Sequence, residues 1–530
     1  MISHDKLKHI GHRIPAEDTR NLITMPHSRN EERLSPAIRW IERAIVGCLF
    51  LIALFAPHSI AATQSAWVLG LVLWALRFAF YPRPILFRAP VDYVLLGFFI
   101  LSGVSGVFSY NPVMSIGKMR AASLFTIVYL ISQNVRSLRL AKLMTYCLIG
   151  SCMINVFLTA GQLVIGKGVK VEGVRPDSPL AQAVFSTRTV HQPTPIINGD
   201  TVWQVDGHRV DTPEELASEL AAGKPFAKVT IYRVEWMPTL DVPRGKLVAG
   251  NTALEQLGIA NWSRGRDWRA TGFYNHWVTY AEVIQLIASL TLGLFLGLTH
   301  KTSLTGLLLL LAVTGLLFAL AMTVTRASWA GFALSALLIV LLSASRRTLV
   351  VIGACAVPLI LGAVFLLQQK RSIGFVDRND QSTSWRETVW REGAHLLVSK
   401  PRHLLVGVGM DSIKGHWREW GLFDNGKLPI GHMHSNLLQI ALERGVPALI
   451  LWLMLLVLYA WLLWKIVRRS KDEFSRSFAL GALGGVVGFF ASGLVHYNWG
   501  DSEVVTVFYL IMGLSLVVAR NLDGVSTTSR

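Results

Sequence analysis

Charge is scarce in this sequence. Asp, Glu, Lys and Arg make up 16% of its 530 residues, where a soluble globular chain carries about 25%. Cysteine is scarcer still, and Cys48, Cys147, Cys152 and Cys355 all fall in apolar stretches. That excludes a disulfide framework and any cysteine-based zinc spacing. No HExxH occurs, so the helix that lets a zinc protease hold metal and activate water is missing. The first 37 residues, 1–37, are polar and rich in His and Arg with no apolar core; they read as a cytoplasmic tail and not as a signal peptide.

Apolar residues are plentiful: 52% of the chain, with a mean hydropathy of +0.44. Stretches long enough to cross a bilayer recur near 38–56, 60–80, 91–108, 119–134 and 142–165. They resume near 277–298, 303–323, 327–344, 348–368, 446–467, 477–495 and 503–519. The expected fold is an all-α polytopic membrane protein of about twelve transmembrane helices.

The net charge of +18 invites a nucleic-acid reading, but Lys and Arg in membrane proteins gather in cytoplasmic connections. Here Arg83 and Arg88 follow the second stretch, Arg136, Arg139 and Lys142 the fourth, Lys301 the sixth, and Arg346 and Arg347 the eighth. Lys465, Arg468, Arg469, Lys471 and Arg476 surround the end of the tenth. Short odd-numbered connections such as "APHSI" and "HYNWGDSE" have no Lys or Arg. Both termini, including 520–530, are therefore expected in the cytoplasm, with helices at 38–165, 277–368 and 446–519. The large connections 166–276 and 369–445 fall outside, and no nucleic-acid partner is expected.

Residues 166–240 read differently. "GVKVEGV" and "AKVTIYRV" are β-rich, "INGDTVWQVDGHRV" is strand–turn–strand with Asp206-Gly207 at the turn, and "TPEELASELAAG" is a helix capped by Thr212. With "VRPDSPLAQA", these segments resemble a PDZ domain, a small α/β extracytoplasmic module, interrupted by the insertion "VFSTRTVHQPTP". The resemblance implies a possible peptide ligand added at a sheet edge; a purely structural role is equally compatible. Residues 241–276 then form a connection back to the membrane.

Ionisable groups are nearly absent from the apolar stretches apart from Glu282, which disfavours a transporter. A rhomboid-like protease would need Ser105 of "SGVSGVF" paired with His496, but small residues in membrane helices usually serve packing. Polar residues gather instead on the outer side. Arg326 opens "TRASWAG", Lys118 and Arg120 sit in "NPVMSIGKMRAA", and Arg386 lies in "STSWRETVW", which leads on to His432 and His434. The short segment "NLLQIALERG" has the spacing of an interfacial amphipathic helix, with His434 at its start.

Three segments resemble the O-antigen ligase and polymerase superfamily of bacterial envelope glycosyltransferases. They are "TRASWAGFALSALL", "WRETVWREGAHLLVSKPRHLLVGVGMDSI" and "HMHSNLLQIALERGVPALI", which together cover about 325–455 in matching order. "RATGFYNHWVTYAEVIQL", with His276, is a weaker fourth. The resemblance implies a GT-C-like enzyme of the inner membrane, with a periplasmic catalytic loop at 369–445. It also implies a metal-independent, inverting transfer without cofactors, moving a glycan from undecaprenyl pyrophosphate to an acceptor hydroxyl.

Arginine forks suit the phosphate oxygens of such a leaving group. Arg326 and Arg386 match the family's arginines, with Arg120 and Lys118 as helpers. A sugar hydroxyl is a poor nucleophile, so His434 is the candidate general base. His432 is placed to orient the acceptor, and Asn436 and Glu443 to hold the loop. The acceptor is lipid A-core in a ligase, the growing glycan in an O-antigen or exopolysaccharide polymerase, and a protein hydroxyl in an oligosaccharyltransferase. A transporter or a PDZ-bearing scaffold is the non-enzyme alternative.

Overall fold

Several of the long helices start where the sequence supplies a cap. Ser59, Ser137 and Ser303 accept the amides of Ala62, Leu140 and Gly306, and Asp472 accepts that of Ser475, which satisfies donors the helix itself leaves unpaired. The computed structural model describes residues 35–186, 191–221, 223–233, 237–274, 276–343 and 381–527.

Among the described residues nine helices are long and apolar enough to cross a membrane, including Pro112–Asn134, Trp277–Gly297, Arg326–Ser343, Glu473–Gly493 and Ser502–Leu522. The remaining expected stretches differ for identifiable reasons. Pro36–Phe55 is helical but carries Arg39, Glu42 and Arg43 in its first two turns. Asp92–Val107 has 16 residues. The stretch 348–368 lies outside the described residues. Pro112–Asn134 is itself segmented, with Lys118 at the joint between Pro112–Gly117 and Met119–Ala122.

Trp277–Gly297 and Glu473–Gly493 form the centre of the bundle, and small residues let them meet backbone to backbone. A Cβ on Gly293 would lie 2.2 Å from the Gly481 Cα, the kind of approach through which membrane helices associate. Arg326–Ser343 packs against the same pair. A Cβ on Gly331 would lie 2.7 Å from the Gly488 carbonyl, and one on Gly484 2.7 Å from the Ser335 hydroxyl. Antiparallel extension of this register brings Arg326 level with Gly493, next to the turn that carries His496.

Residues 167–265 form a separate α/β module with its own apolar core of Val169, Val202, Leu216, Val229 and Ile231. Its strands are β1 (Lys167–Glu172), β2 (Val184–Ser186), β3 (His191–Pro193), β4 (Thr201–Val205), β5 (His208–Arg209), β6 (Phe226–Tyr232), β7 (Thr239–Pro243) and β8 (Asn261–Gly265). The sheet order is β3-β2-β7-β6-β4-β1-β8, with β5 on β4. Asp206 and Gly207 both take positive φ, 50° and 88°, at the β4–β5 turn, as a tight hairpin requires. Thr212 accepts the Glu215 amide. β8 comes from the stretch read in sequence as a connection; pairing with β1, the strand nearest the membrane helix, draws it into the sheet.

A third unit is built around Gln381–Val398. Val389, Val408, Phe423, Met433 and Leu442 form its core. Phe423, Asp424 and Asn425 all take positive φ, and the Glu392 carboxylate accepts the amides of the first two at 2.7 and 3.1 Å. Helix Asn436–Arg444 is not interfacial as its spacing predicts. Asn436 and the whole of Gln439–Arg444 are buried, because the helix is enclosed by neighbouring elements. Gly407 fits this enclosure: its φ is 75°, and a Cβ there would lie 2.4 Å from the Glu443 carbonyl carbon.

Candidate active site

The turn that carries the two histidines is held from within by Met433. This residue is fully buried, its amide donates to Gln439 Oε1 at 2.6 Å, and its carbonyl accepts from Trp390 Nε1 at 2.8 Å. The flanking imidazoles are left beside one another, with ring centroids 4.2 Å apart. His434 pays with its backbone, taking φ 45°, a region that costs a non-glycine residue about 1–3 kcal/mol and is enriched at functional sites. Its amide donates to His432 Nδ1 at 3.3 Å.

Trp385 meets the His434 ring edge-on at 4.5 Å, and His496 approaches it at 6.3 Å. His434 Nδ1 is buried and has no hydrogen-bond partner among the described residues. Burial, the imidazoles of His432 and His496 and the Arg386 guanidinium push its pKa down to about 2. His432 is lowered to about 4, mainly by burial and the Lys414 charge, and His496 to about 3 by burial and then Arg386. All three rings are therefore neutral at physiological pH. His496 Nδ1 lies 3.0 Å from Glu282 Oε1.

Arg386 shares this charge environment with His434 and His496, and the helix register brings the start of the Arg326 helix to the same end of the bundle. His276 caps Trp277–Gly297 by accepting the Thr279 amide at 3.3 Å; burial and the Arg269 charge lower its own pKa, and its protonated form would oppose protonation of His432, His434 and His496. Thr279 Oγ1 donates to Asp501 at 2.8 Å. Among the described residues no group of three or more His, Cys, Asp or Glu side chains is disposed to hold a metal ion.

On the other side of His432, Glu443 organises a polar network. Its Oε1 accepts from the Asp411 amide and Gln439 Nε2, each at 2.9 Å, and its Oε2 from Arg444 and Tyr497, each at 3.1 Å. Asn436 bonds Asn498 and accepts the Trp499 amide, tying the turn to the segment after His496. Lys118 pairs with Asp411 at 2.8 Å. Arg120 is exposed, and among the described contacts nothing joins its side chain to the histidines. Ser105 donates to the Glu443 carbonyl at 2.6 Å, so it packs the helix ends together and forms no dyad with His496.

Sequence reasoning missed two groups. The Glu282–His496 pair was detectable, since both residues stood out separately, but nothing in their spacing of 214 positions joins them. Arg269 opens the weaker fourth segment, but nothing in the sequence singles it out. Its guanidinium donates to the Thr323 carbonyl at 2.7 Å, the Val324 carbonyl at 2.8 Å and Thr325 Oγ1 at 3.2 Å, and it stacks 4.6 Å over Trp277. It thereby fixes the residues that lead directly into Arg326.

The arrangement is a set of neutral imidazoles beside guanidinium groups at one end of a membrane-type bundle, suited to taking a proton next to an anion. No curated protein matches the chain. Residues 308–453, which include Arg326, Arg386, His432 and His434, match the family described as O-antigen ligase, and this match supports membership of the ligase superfamily and glycosyl transfer of the ligase or polymerase type.

Proposed function

We propose that this chain is an O-antigen ligase-like glycosyltransferase of the bacterial inner membrane. It moves a glycan from undecaprenyl pyrophosphate to a hydroxyl of lipid A-core at the periplasmic face. The observation that carries the reading is His434: a strained backbone holds an imidazole whose buried Nδ1 has no hydrogen-bond partner among the described residues, beside Arg386 and at the end of the bundle where the Arg326 helix begins.

The acceptor O–H gives its proton to the His434 imidazole as its oxygen attacks the anomeric carbon. The C1–O bond to pyrophosphate breaks on the opposite face, with inversion, and the bonding pair leaves on the phosphate oxygen. Arg326 and Arg386 compensate that charge through fork-like hydrogen bonds. Burial leaves His434 a weak base in the unliganded chain. The donor's own negative charge raises that basicity when it binds, since a nearby anion favours the protonated imidazole. Lys118 and Arg120 contribute less: the first is paired with Asp411 and the second is exposed. The 167–265 module is PDZ-like in this reading and offers a sheet edge to an extended peptide.

The test is a lipopolysaccharide gel from a deletion strain complemented with the natural chain or with His434→Ala. A ligase gives core without high-molecular-weight glycan, in both the deletion strain and the variant, while lipid-linked polymer accumulates. Core bearing a single repeat indicates the polymerase reaction instead. Unchanged lipopolysaccharide overturns both.

A further inference from the structure

The histidine turn has a second side. A cleft of about 870 Å³, counting its open mouth, lies against His432. Asp92–Val107, Pro112–Asn134 and the start of Ser502–Thr527 contribute Phe98, Ala122 and Tyr509 to its walls, and residues of the 410–444 segment and the 497–501 turn supply the rest. None of these helices carries Arg326 or Arg386. At the mouth Lys118 and Lys414 both hold Asp411, at 2.8 and 2.9 Å. Deeper in, Arg444 lines the cleft, 8% exposed. One of its nitrogens is committed to Glu443 and Tyr497, while its Nε is buried with no partner among the described residues.

Aromatic faces combined with paired acids and cations are what a sugar ring requires, because its C–H faces pack on aromatics and its hydroxyls both donate and accept. A lipid chain would not need the ions, and a pyrophosphate would not tolerate Asp411, Glu443 and Asp501 in the lining. His432 forms the boundary. Its Nδ1 accepts the His434 amide, so the ring proton of the neutral form sits on Nε2 and can be donated.

We infer that this cleft is the glycan-acceptor subsite, separate from the arginine-lined donor side, with His432 and His434 between the two. This rests on the glycosyl-transfer reading above. The acceptor's terminal sugar lies against the aromatic wall and gives its hydroxyl to His434, while its remaining hydroxyls take up the Arg444 Nε and the Asp411 carboxylate.

The experiment uses the full chain in nanodiscs, with an undecaprenyl-pyrophosphate-linked glycan as donor and purified lipid A-core as acceptor. Transfer is measured alongside thermal stabilisation by undecaprenyl pyrophosphate. Ala122→Trp, which fills the cleft, is expected to lower transfer at least 10-fold with stabilisation by undecaprenyl pyrophosphate unchanged. Unchanged transfer overturns the assignment, and so does a parallel loss of stabilisation. Should Ala122→Trp fail to fold, Asp411→Asn decides: a 5- to 10-fold higher acceptor KM at similar kcat supports the subsite, and an unchanged KM refutes it. Full transfer by His434→Ala would instead sink the underlying enzymatic reading, whatever the cleft variants do.

Discussion

Trp385 stands perpendicular to His434, its ring centroid 4.5 Å from that of the imidazole at an interplanar angle of 89°. The indole edge closes one side of the histidine, and the adjacent residue in the same helix is Arg386. One helical segment thus supplies both the wall that dries the base and the cation that opposes its protonation.

Trp385→Ala is expected to let water reach His434, raising its pKa toward the usual histidine range while removing the steric wall. Titration of the ring by NMR should show the upward shift. Transfer should fall by roughly 10- to 100-fold, because general-base help worth about 10²–10⁴-fold depends on placement. Trp385→Phe, which keeps an aromatic edge, should retain most of the activity.

Acid should destabilise the folded chain. His432 and His434 have folded pKa values of about 4 and about 2, below the ordinary 6.5, so the unfolded chain binds more protons below pH 6.5. Stability is then greatest above that pH and falls as pH drops toward 4, by about 1.4 kcal/mol per pH unit for each ring that only the unfolded state protonates. Melting temperature measured between pH 7.5 and 5.0 should decline, and His432→Asn should flatten the slope.

Binding of undecaprenyl pyrophosphate should raise the basicity of His434 without protonating it at pH 7. The unliganded ring is neutral, and general-base transfer requires it to stay neutral in the donor complex. A pyrophosphate beside it favours the imidazolium, so titration of the ring by NMR should show an upward pKa shift when the donor binds. An unchanged pKa would contradict the proposed proximity.

Glu443→Gln should be among the most damaging single changes outside the histidine turn. Glu443 and Arg444 have side chains only 4% and 9% exposed, and breaking a buried pair by removing one charge costs about 3–5 kcal/mol. Glu443→Gln/Arg444→Met should recover part of that loss, and a double-mutant cycle on melting measures how much. Simple additivity would show that the two do not act as a pair.

Much of this was legible in sequence where a one-dimensional signal reports a local physical requirement. Membrane-spanning length, the Thr212 cap, the Asp206-Gly207 turn and the segments at 325–455 are of that kind, and the last overlap the 308–453 family match. What was not legible depends on long-range packing. The spacing of Asn436–Arg444 suggests an interfacial helix, yet the fold buries it. β8 joins β1 across a separation no local pattern encodes. Arg269 resembles any interfacial arginine until its three acceptors at 323–325 are seen.

Arg269 also links two bodies that the sequence keeps apart. Its amide donates to the Tyr232 hydroxyl at 3.3 Å within the α/β module, while its guanidinium holds the residues ahead of Arg326. The inserted module is thus geared to the membrane helix that bears a phosphate-facing arginine in the proposed mechanism. Excising the module from the chain would have to spare Arg269, or the first turn of that helix would lose its anchor together with the insert.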